Sequence, residues 1–243
     1  MTNLSVNLNK IALLRNTRTI GIPSVIRAAE ISIEAGAHGI TVHPRPDQRH
    51  IRPSDVYELK EMLTVEFNIE GNPFFPEFMK IVRDVKPDQC TLVPDSENAF
   101  TSDHGWDLLK DIEKVKPIIK ELKDLGIRVS LFMDADTDMI ELAKTTGTDR
   151  VELYTEPYAA AFREGNAETV FRQFENAAKK AMEIGLGINA GHDLNLRNLG
   201  KFCSIPGILE VSIGHALIAE ALEMGLFNTV KEYLKILSES KQV

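Results

Sequence analysis

Four stretches of the chain repeat one phrase: "EAGAHGITVH", "DLGIRVSLFM", "TTGTDRVELY" and "EIGLGINAGH". Each sets a helical segment before a glycine and a short β-rich run after it. Glycine reaches the left-handed conformation that ends a helix, and β-branched or aromatic runs bounded by such punctuation form strands. The phrase is therefore an αβ unit, repeated. Extending the pattern predicts strands near Ser5–Leu8, Ile40–His43, Phe67–Glu70, Thr91–Val93, Val129–Met133, Val151–Tyr154, Gly187–Ala190 and Leu209–Ile213. Helical patterns such as "PSVIRAAEISIEAG", "PEFMKIVRDVK", "PIIKELKDLG", "TDMIELAKTTG" and "TVFRQFENAAKKAMEIG" lie between them. Eight strands are expected to alternate with eight helices. Their continuous apolar character suits a parallel sheet buried on both faces. A chain of 243 residues fits one α/β domain, a single (β/α)8 TIM barrel over 1–243. No glycine-rich dinucleotide fingerprint follows any strand, which argues against an open doubly wound sheet.

Charge narrows the function classes. A formal net charge of -8 and a pI near 5.3, with no long Lys/Arg block, argue against nucleic acid or an anionic membrane as partner. Any anion site has to be built locally. The start "MTNLSVNLNK" has no basic segment followed by a long apolar one, and no later run is long enough to span a bilayer, so a cytoplasmic chain is expected. The only cysteines, Cys90 and Cys203, are far apart and in no metal-ligand spacing; they are read as small buried hydrophobes.

Against that acidic background, "GITVHPRPDQRH" packs His43, Arg45, Arg49 and His50 at one strand end. In a (β/α)8 barrel the loops after the strands converge at one mouth, where active sites form. Asn7 and Asn9, Glu70 in "NIEGN", Asp134, Glu152 in "VELYT", His192 in "NAGHD" and His215 in "SIGHA" fall at the same end. His38 falls at the opposite end and is expected to be structural or exposed. Taken singly, Glu70 or Glu152 reads equally well as a rim ion-pair partner, and either histidine as a helix N-terminal residue bonded to backbone. Their convergence favours function. After strands 7 and 8 a glycine allows close backbone approach and a following helix start offers free N–H groups, a setting that suits a phosphate. Arg18 and Arg45 supply a second anion clamp, because guanidinium is permanently charged and bidentate. Arg49, in the same loop, is expected at the surface.

The blocks "VNLNKIALLRNTR", "GITVHPRPDQRHI", "FNIEGN", "LVPDSENAFTSDHG", "VSLFMDAD", "VELYTEPYA", "INAGHDL" and "SIGHALI", in this order and spacing, resemble the pyridoxine 5'-phosphate synthase family of vitamin B6 biosynthesis. The resemblance implies an octameric barrel enzyme. It joins 1-deoxy-D-xylulose 5-phosphate to 3-amino-2-oxopropyl phosphate, releasing pyridoxine 5'-phosphate, inorganic phosphate and water, with no cofactor and no metal. It further implies that His43 and Glu70 accept protons, that His192 donates one, and that Glu152 supports the transition state. By the same resemblance Asn7, Arg18, Gly214 and His215 contact the aminoketone phosphate, while Arg45, His50 and Thr101 contact the deoxyxylulose phosphate. Three binding positions differ from the family pattern. An Asp-His pair is replaced by Asn9 and Lys10, and a glycine after the strand-7 histidine by Asp193, whose charge beside a phosphate would cost about 1 kcal/mol at ~4 Å in water unless it points away. These departures keep a non-catalytic phosphometabolite-binding paralogue as an alternative, with another phosphosugar barrel enzyme or a metal-dependent hydrolase third. The last expects an early His-x-His pair, which "NLNK" lacks.

Overall fold

The repeated glycines do what the phrase requires. Gly36, Gly126, Gly147 and Gly185 all have φ between +73° and +103°, a region open to glycine at little cost, so each ends its helix and turns the chain into the next strand. The computed structural model describes residues 1–97 and 99–240. Its strands are β1 (Asn3–Asn7), β2 (Gly39–Val42), β3 (Glu66–Gly71), β4 (Gln89–Leu92), β5 (Arg128–Met133), β6 (Arg150–Tyr154), β7 (Gly187–Gly191) and β8 (Ile208–Ile213). Each pairs in parallel with the next, and β8 returns to β1 in the register Asn3↔Glu210 to Val6↔Ile213, closing the barrel.

The described helices number eleven rather than eight: α1 (Asn9–Asn16), α2 (Val25–Glu34), α3 (Pro53–Met62), α4 (Pro76–Val85), α5 (Leu108–Asp124), α6 (Thr137–Thr145), α7 (Glu156–Arg163), α8 (Ala167–Glu183), α9 (Leu199–Phe202), α10 (His215–Met224) and α11 (Leu226–Glu239). Units 1, 6 and 8 carry two helices each. Helix starts follow local chemistry. The Ser24 hydroxyl accepts the Arg27 N–H at 3.1 Å at the start of α2, and Asp136 accepts from Asp138 and Met139 at the start of α6. Proline opens α3 and α4, where its missing N–H has no intrahelical partner to lose.

The barrel has an apolar outside and a polar lumen. Outward strand residues such as Leu4, Ile40, Ile69, Leu131 and Ala190 are buried in the main hydrophobic cluster with the helices. Alternate residues point inward and bond across the lumen: Ser5 to Thr41 at 2.7 Å, Asn68 to Thr41 at 3.3 Å and Thr91 to Asn68 at 3.1 Å. At the floor Gln89 and Asn189 donate to the buried Glu210 at 3.4 and 3.5 Å. Among the described residues no helix is long and apolar enough to cross a membrane. Cys90 and Cys203 are both buried free thiols.

Candidate active site

The mouth begins where the strands stop pairing. β1 ends at Asn7 and β2 at Val42, each one residue earlier than the sequence suggests; the Leu8 N–H still reaches the Thr41 carbonyl at 3.0 Å, and beyond it side chains take over from the ladder. Asn7 Oδ1 accepts the Asn9 N–H at 3.0 Å, and Asn9 Oδ1 accepts the His43 N–H at 2.9 Å. Asn9 is thus a bracket between the ends of β1 and β2, and it fixes the backbone of His43. Asn7 also donates to Glu70 Oε2 at 3.4 Å from β3.

His43, Glu70 and Glu152 are all buried. Burial, reinforced by the charges of Arg45, His50, His192 and Arg49, holds the His43 pKa well below the usual imidazole value, so the ring is neutral near pH 7. Burial pushes the Glu70 carboxyl well above its usual range, and the neighbouring Glu152 and Asp95 push the same way against the opposing pull of Arg45. Burial raises Glu152 to about 7, against the bond it receives from Thr91 at 3.4 Å. A neutral imidazole and two carboxyls whose burial raises their affinity for protons thus share the mouth. His50 is buried and lowered to about 4, by burial first and then by Arg45 and Arg49. Its Nδ1 accepts the Ile51 N–H at 2.9 Å, and its ring meets His43 edge-on at 6.2 Å.

His192 lies across the mouth, on the loop after β7, with φ +81°. Burial lowers its pKa, Asp193 and Asp95 raise it, and Arg45 and Lys10 lower it further. Asp193 also has a positive φ, +57°, a conformation that aspartate tolerates better than most residues. Its carbonyl accepts from Asn198 at 3.1 Å. Its negative charge raises the pKa of both His192 and Tyr154. The glycines of strands 7 and 8 permit close approach. A Cβ at Gly191 would stand 2.5 Å from Glu152 Oε1, and one at Gly214 3.2 Å from the Asn7 side chain.

The basic loop is built differently from the sequence expectation. Arg45 is buried, its guanidinium paired with Asp95 at 2.5 Å and bonded to the Ala99 carbonyl at 3.1 Å. Arg49 is half-buried rather than a free surface charge; it pairs with Asp47 at 2.6 Å and donates to the Phe100 carbonyl at 3.2 Å. Both arginines therefore hold the β4–α5 loop, which carries the exposed Thr101. Lys10 is half-buried and its charge acts on His50 and His192. Gly214 precedes α10, and the exposed His215 is its first residue. Arg18 is exposed beyond α1, and among the described residues its side chain bonds to no group of the mouth. His38, at the opposite end, accepts the Leu4 N–H at 3.1 Å.

Sequence reasoning passed over three supports. Asp95 lies inside the quoted block "LVPDSEN" and ties together Arg45, Ser102 at 2.7 Å and, through its carbonyl, Asn72 at 2.9 Å. Arg15 of α1 forms a buried bidentate pair with Asp55 of α3, and Asn16 donates to the Arg49 and His50 carbonyls at 3.0 and 2.7 Å. Neither α1 residue belongs to an apolar pattern, so periodicity carries no signal for them. Phe132 and Tyr154 form a small apolar cluster with Val93, separate from the main core.

A family model for pyridoxal phosphate biosynthesis protein PdxJ matches residues 4–239. The pyridoxine 5'-phosphate synthase of Christiangramia forsetii is 55% identical over 238 residues, covering 98% of this chain and 100% of that one. The synthase of the same name from Xanthomonas axonopodis pv. citri is 54% identical over 246 residues, covering 97% and 96%. Among solved structures, phosphoribosyl anthranilate isomerase from Thermotoga maritima superposes with a TM-score of 0.61 at 14% identity, covering 98% of this chain and 100% of that one, a likeness of fold alone. A match from the first strand into the last helix, at more than half identity to full-length relatives, leaves one assignment: the chain belongs to the PdxJ family of pyridoxal phosphate biosynthesis proteins.

Proposed function

We propose that this mouth makes pyridoxine 5'-phosphate from 1-deoxy-D-xylulose 5-phosphate and 3-amino-2-oxopropyl phosphate, with release of inorganic phosphate and water. The observation that carries the proposal is the burial of His43, His50, Glu70 and Glu152 together at one barrel end, which favours neutral imidazoles and raises the affinity of the carboxyls for protons. Condensing an amine with a ketone, expelling water and phosphate and closing an aromatic ring require protons to be taken and returned several times. His43, kept neutral, takes a proton. Glu70 has a raised affinity for protons and both takes and returns them, while Glu152 behind it opposes a second negative charge in the same space. His192 donates once protonated, a state that Asp193 and Asp95 favour. The phosphates fall to the glycine loops around Gly214 and His215 and to the basic loop of Arg45 and His50, with Asn7, Arg18, Thr101, Lys10 and Asp193 around them.

The three departures fit this reading better than the non-catalytic alternative. Asn9 supports His43 through its amide, Lys10 adds positive charge at the mouth, and Asp193 counters the desolvation of His192. A homo-octamer, as the family resemblance implies, belongs to the same proposal and is checked by sedimentation velocity; the cytoplasmic location expected from the sequence belongs to it too. The decisive experiment supplies both substrates to the purified chain and follows pyridoxine 5'-phosphate by absorbance and phosphate by release. Binding of both substrates without turnover would return the chain to the paralogue class.

A further inference from the structure

His192 has an unusual support. Among the described residues neither of its ring nitrogens has a hydrogen-bond partner, although histidines used in proton transfer are commonly oriented through one of them. The ring is instead flanked by two aromatic side chains. Tyr154 meets it edge-on at 5.2 Å and 77°, and Phe132 at 5.1 Å and 58°, while the two flanking rings lie 5.4 Å from each other. Tilted and edge-to-face ring contacts of this kind have a preferred geometry, so they orient a ring as well as bury it.

The flanking rings are themselves fixed. The Phe132 carbonyl accepts the Trp106 N–H at 3.0 Å, and Val93 packs with both rings. Thr155, the residue after Tyr154, grips the next strand: its N–H donates to the Gly191 carbonyl at 2.9 Å, and its hydroxyl lies between the carbonyls of Gly191, at 2.7 Å, and His192. Two consecutive residues at the end of β6 therefore hold the backbone and the ring of His192 separately. We propose that Tyr154, with Phe132, is a positioning residue for the His192 imidazole, fixing its plane by ring contacts and leaving both nitrogens free to face substrate. This deepens the synthase reading and rests on it for its kinetic consequence alone.

The charged and titratable groups around His192 are Asp193 on its own loop and Asp95, Arg45, Lys10, His43 and Tyr154 from neighbouring elements. Of these only Tyr154 is altered, and its hydroxyl, pushed up to about 12, carries no charge over the imidazole range, so a shift in His192 titration reports its burial and orientation. The experiment uses the full chain with nitrogen-15 histidine. The His192 signal, one among six histidines, is assigned by its loss in His192→Asn. Tyr154→Leu and Phe132→Leu are expected to move the His192 titration upward as desolvation is relieved. They should also lower kcat about ten- to a hundredfold, as a displacement of ~1 Å does, with little change in KM. Tyr154→Phe, which keeps the ring, should restore both the titration and most of the turnover.

An unmoved His192 titration in folded Tyr154→Leu and Phe132→Leu overturns the proposal. So does a loss in Tyr154→Phe as large as that in Tyr154→Leu, which would move the role from ring to hydroxyl. Where a leucine variant fails to fold, proton contacts between the His192 ring and both aromatic rings in the unaltered chain decide the matter, and their absence overturns it. Absence of turnover in the unaltered chain would overturn the synthase reading and leave the titration as the test of the clamp.

Discussion

Glu70 and Arg45 are the single residues through which the site is tested most directly. Glu70→Gln keeps the shape of a side chain whose charged form burial already disfavours, so the fold should be kept while a titrating group is lost. Turnover is expected to fall ~10²- to 10⁴-fold with an almost unchanged melting temperature, measured on the same preparation. Arg45→Lys tests a different property. A lysine keeps the charge but cannot reach Asp95 and the Ala99 carbonyl together. Losing a hydrogen bond to a charged group costs about 1.5–3 kcal/mol, so phosphate binding should weaken about tenfold or more in a titration at fixed ionic strength, and the melting temperature should fall. Arg49→Lys should leave phosphate affinity nearer that of the unaltered chain. It is no longer expected to be silent, because Arg49 holds the Phe100 carbonyl. Equal losses in the two variants would reduce the shaped pocket to a diffuse positive field.

Between elements, closeness is set by glycines whose missing Cβ is filled by something else. At Gly71 of β3 that something is the Phe78 ring of α4, and at Gly191 of β7 it is the Glu152 carboxylate of β6. Two alanine substitutions of equal size should therefore fail differently. Gly71→Ala overpacks the core and should cost about 1–3 kcal/mol of stability in urea unfolding. Gly191→Ala should displace Glu152 and depress turnover with a smaller loss of stability; the reverse order would mean that Glu152 is not held where catalysis needs it. These contacts also explain what could be read beforehand. The αβ rhythm and the mouth histidines were legible because glycine stops and apolar runs are local signals. Helix α1 was not, since its buried residues are Ala12 and Arg15, and a helix buried through an ion pair leaves no apolar stripe. The polar lumen was hidden for a related reason. Ser, Thr and Asn alternating with Ile, Val and Leu read as half of an apolar run, and only ring closure reveals which half faces inward.

Over the molecule as a whole, the lumen makes stability depend on pH. Burial first, then Glu66, raises Glu210 to about 8. A carboxyl with a raised native pKa binds its proton more tightly folded than unfolded, so its support is complete below about 4.5 and is lost as pH rises through about 8. The histidines oppose this, because their lowered pKa values remove support as pH falls below about 6.5. Glu210→Gln isolates the first effect: relative to the unaltered chain it should gain stability steadily between about pH 4.5 and 8 in chemical denaturation. A constant difference across that range would mean that Glu210 is not protonated on folding. The bond from Thr2 to the Ile208 carbonyl at 2.9 Å and the β1–β8 register bear on synthesis as well as on the finished fold. A nascent chain makes β1 first and its outer neighbour last, so one edge of β1 waits, unpaired, through the manufacture of nearly the whole protein. Exposed edges invite pairing with other chains, and contacts this distant in sequence form slowly. The strand that seals that edge is the one that delivers Gly214 and His215 to the mouth, so a prematurely ended chain lacks its ring closure and part of the proposed phosphate loop together, and half-made copies have no route to partial activity.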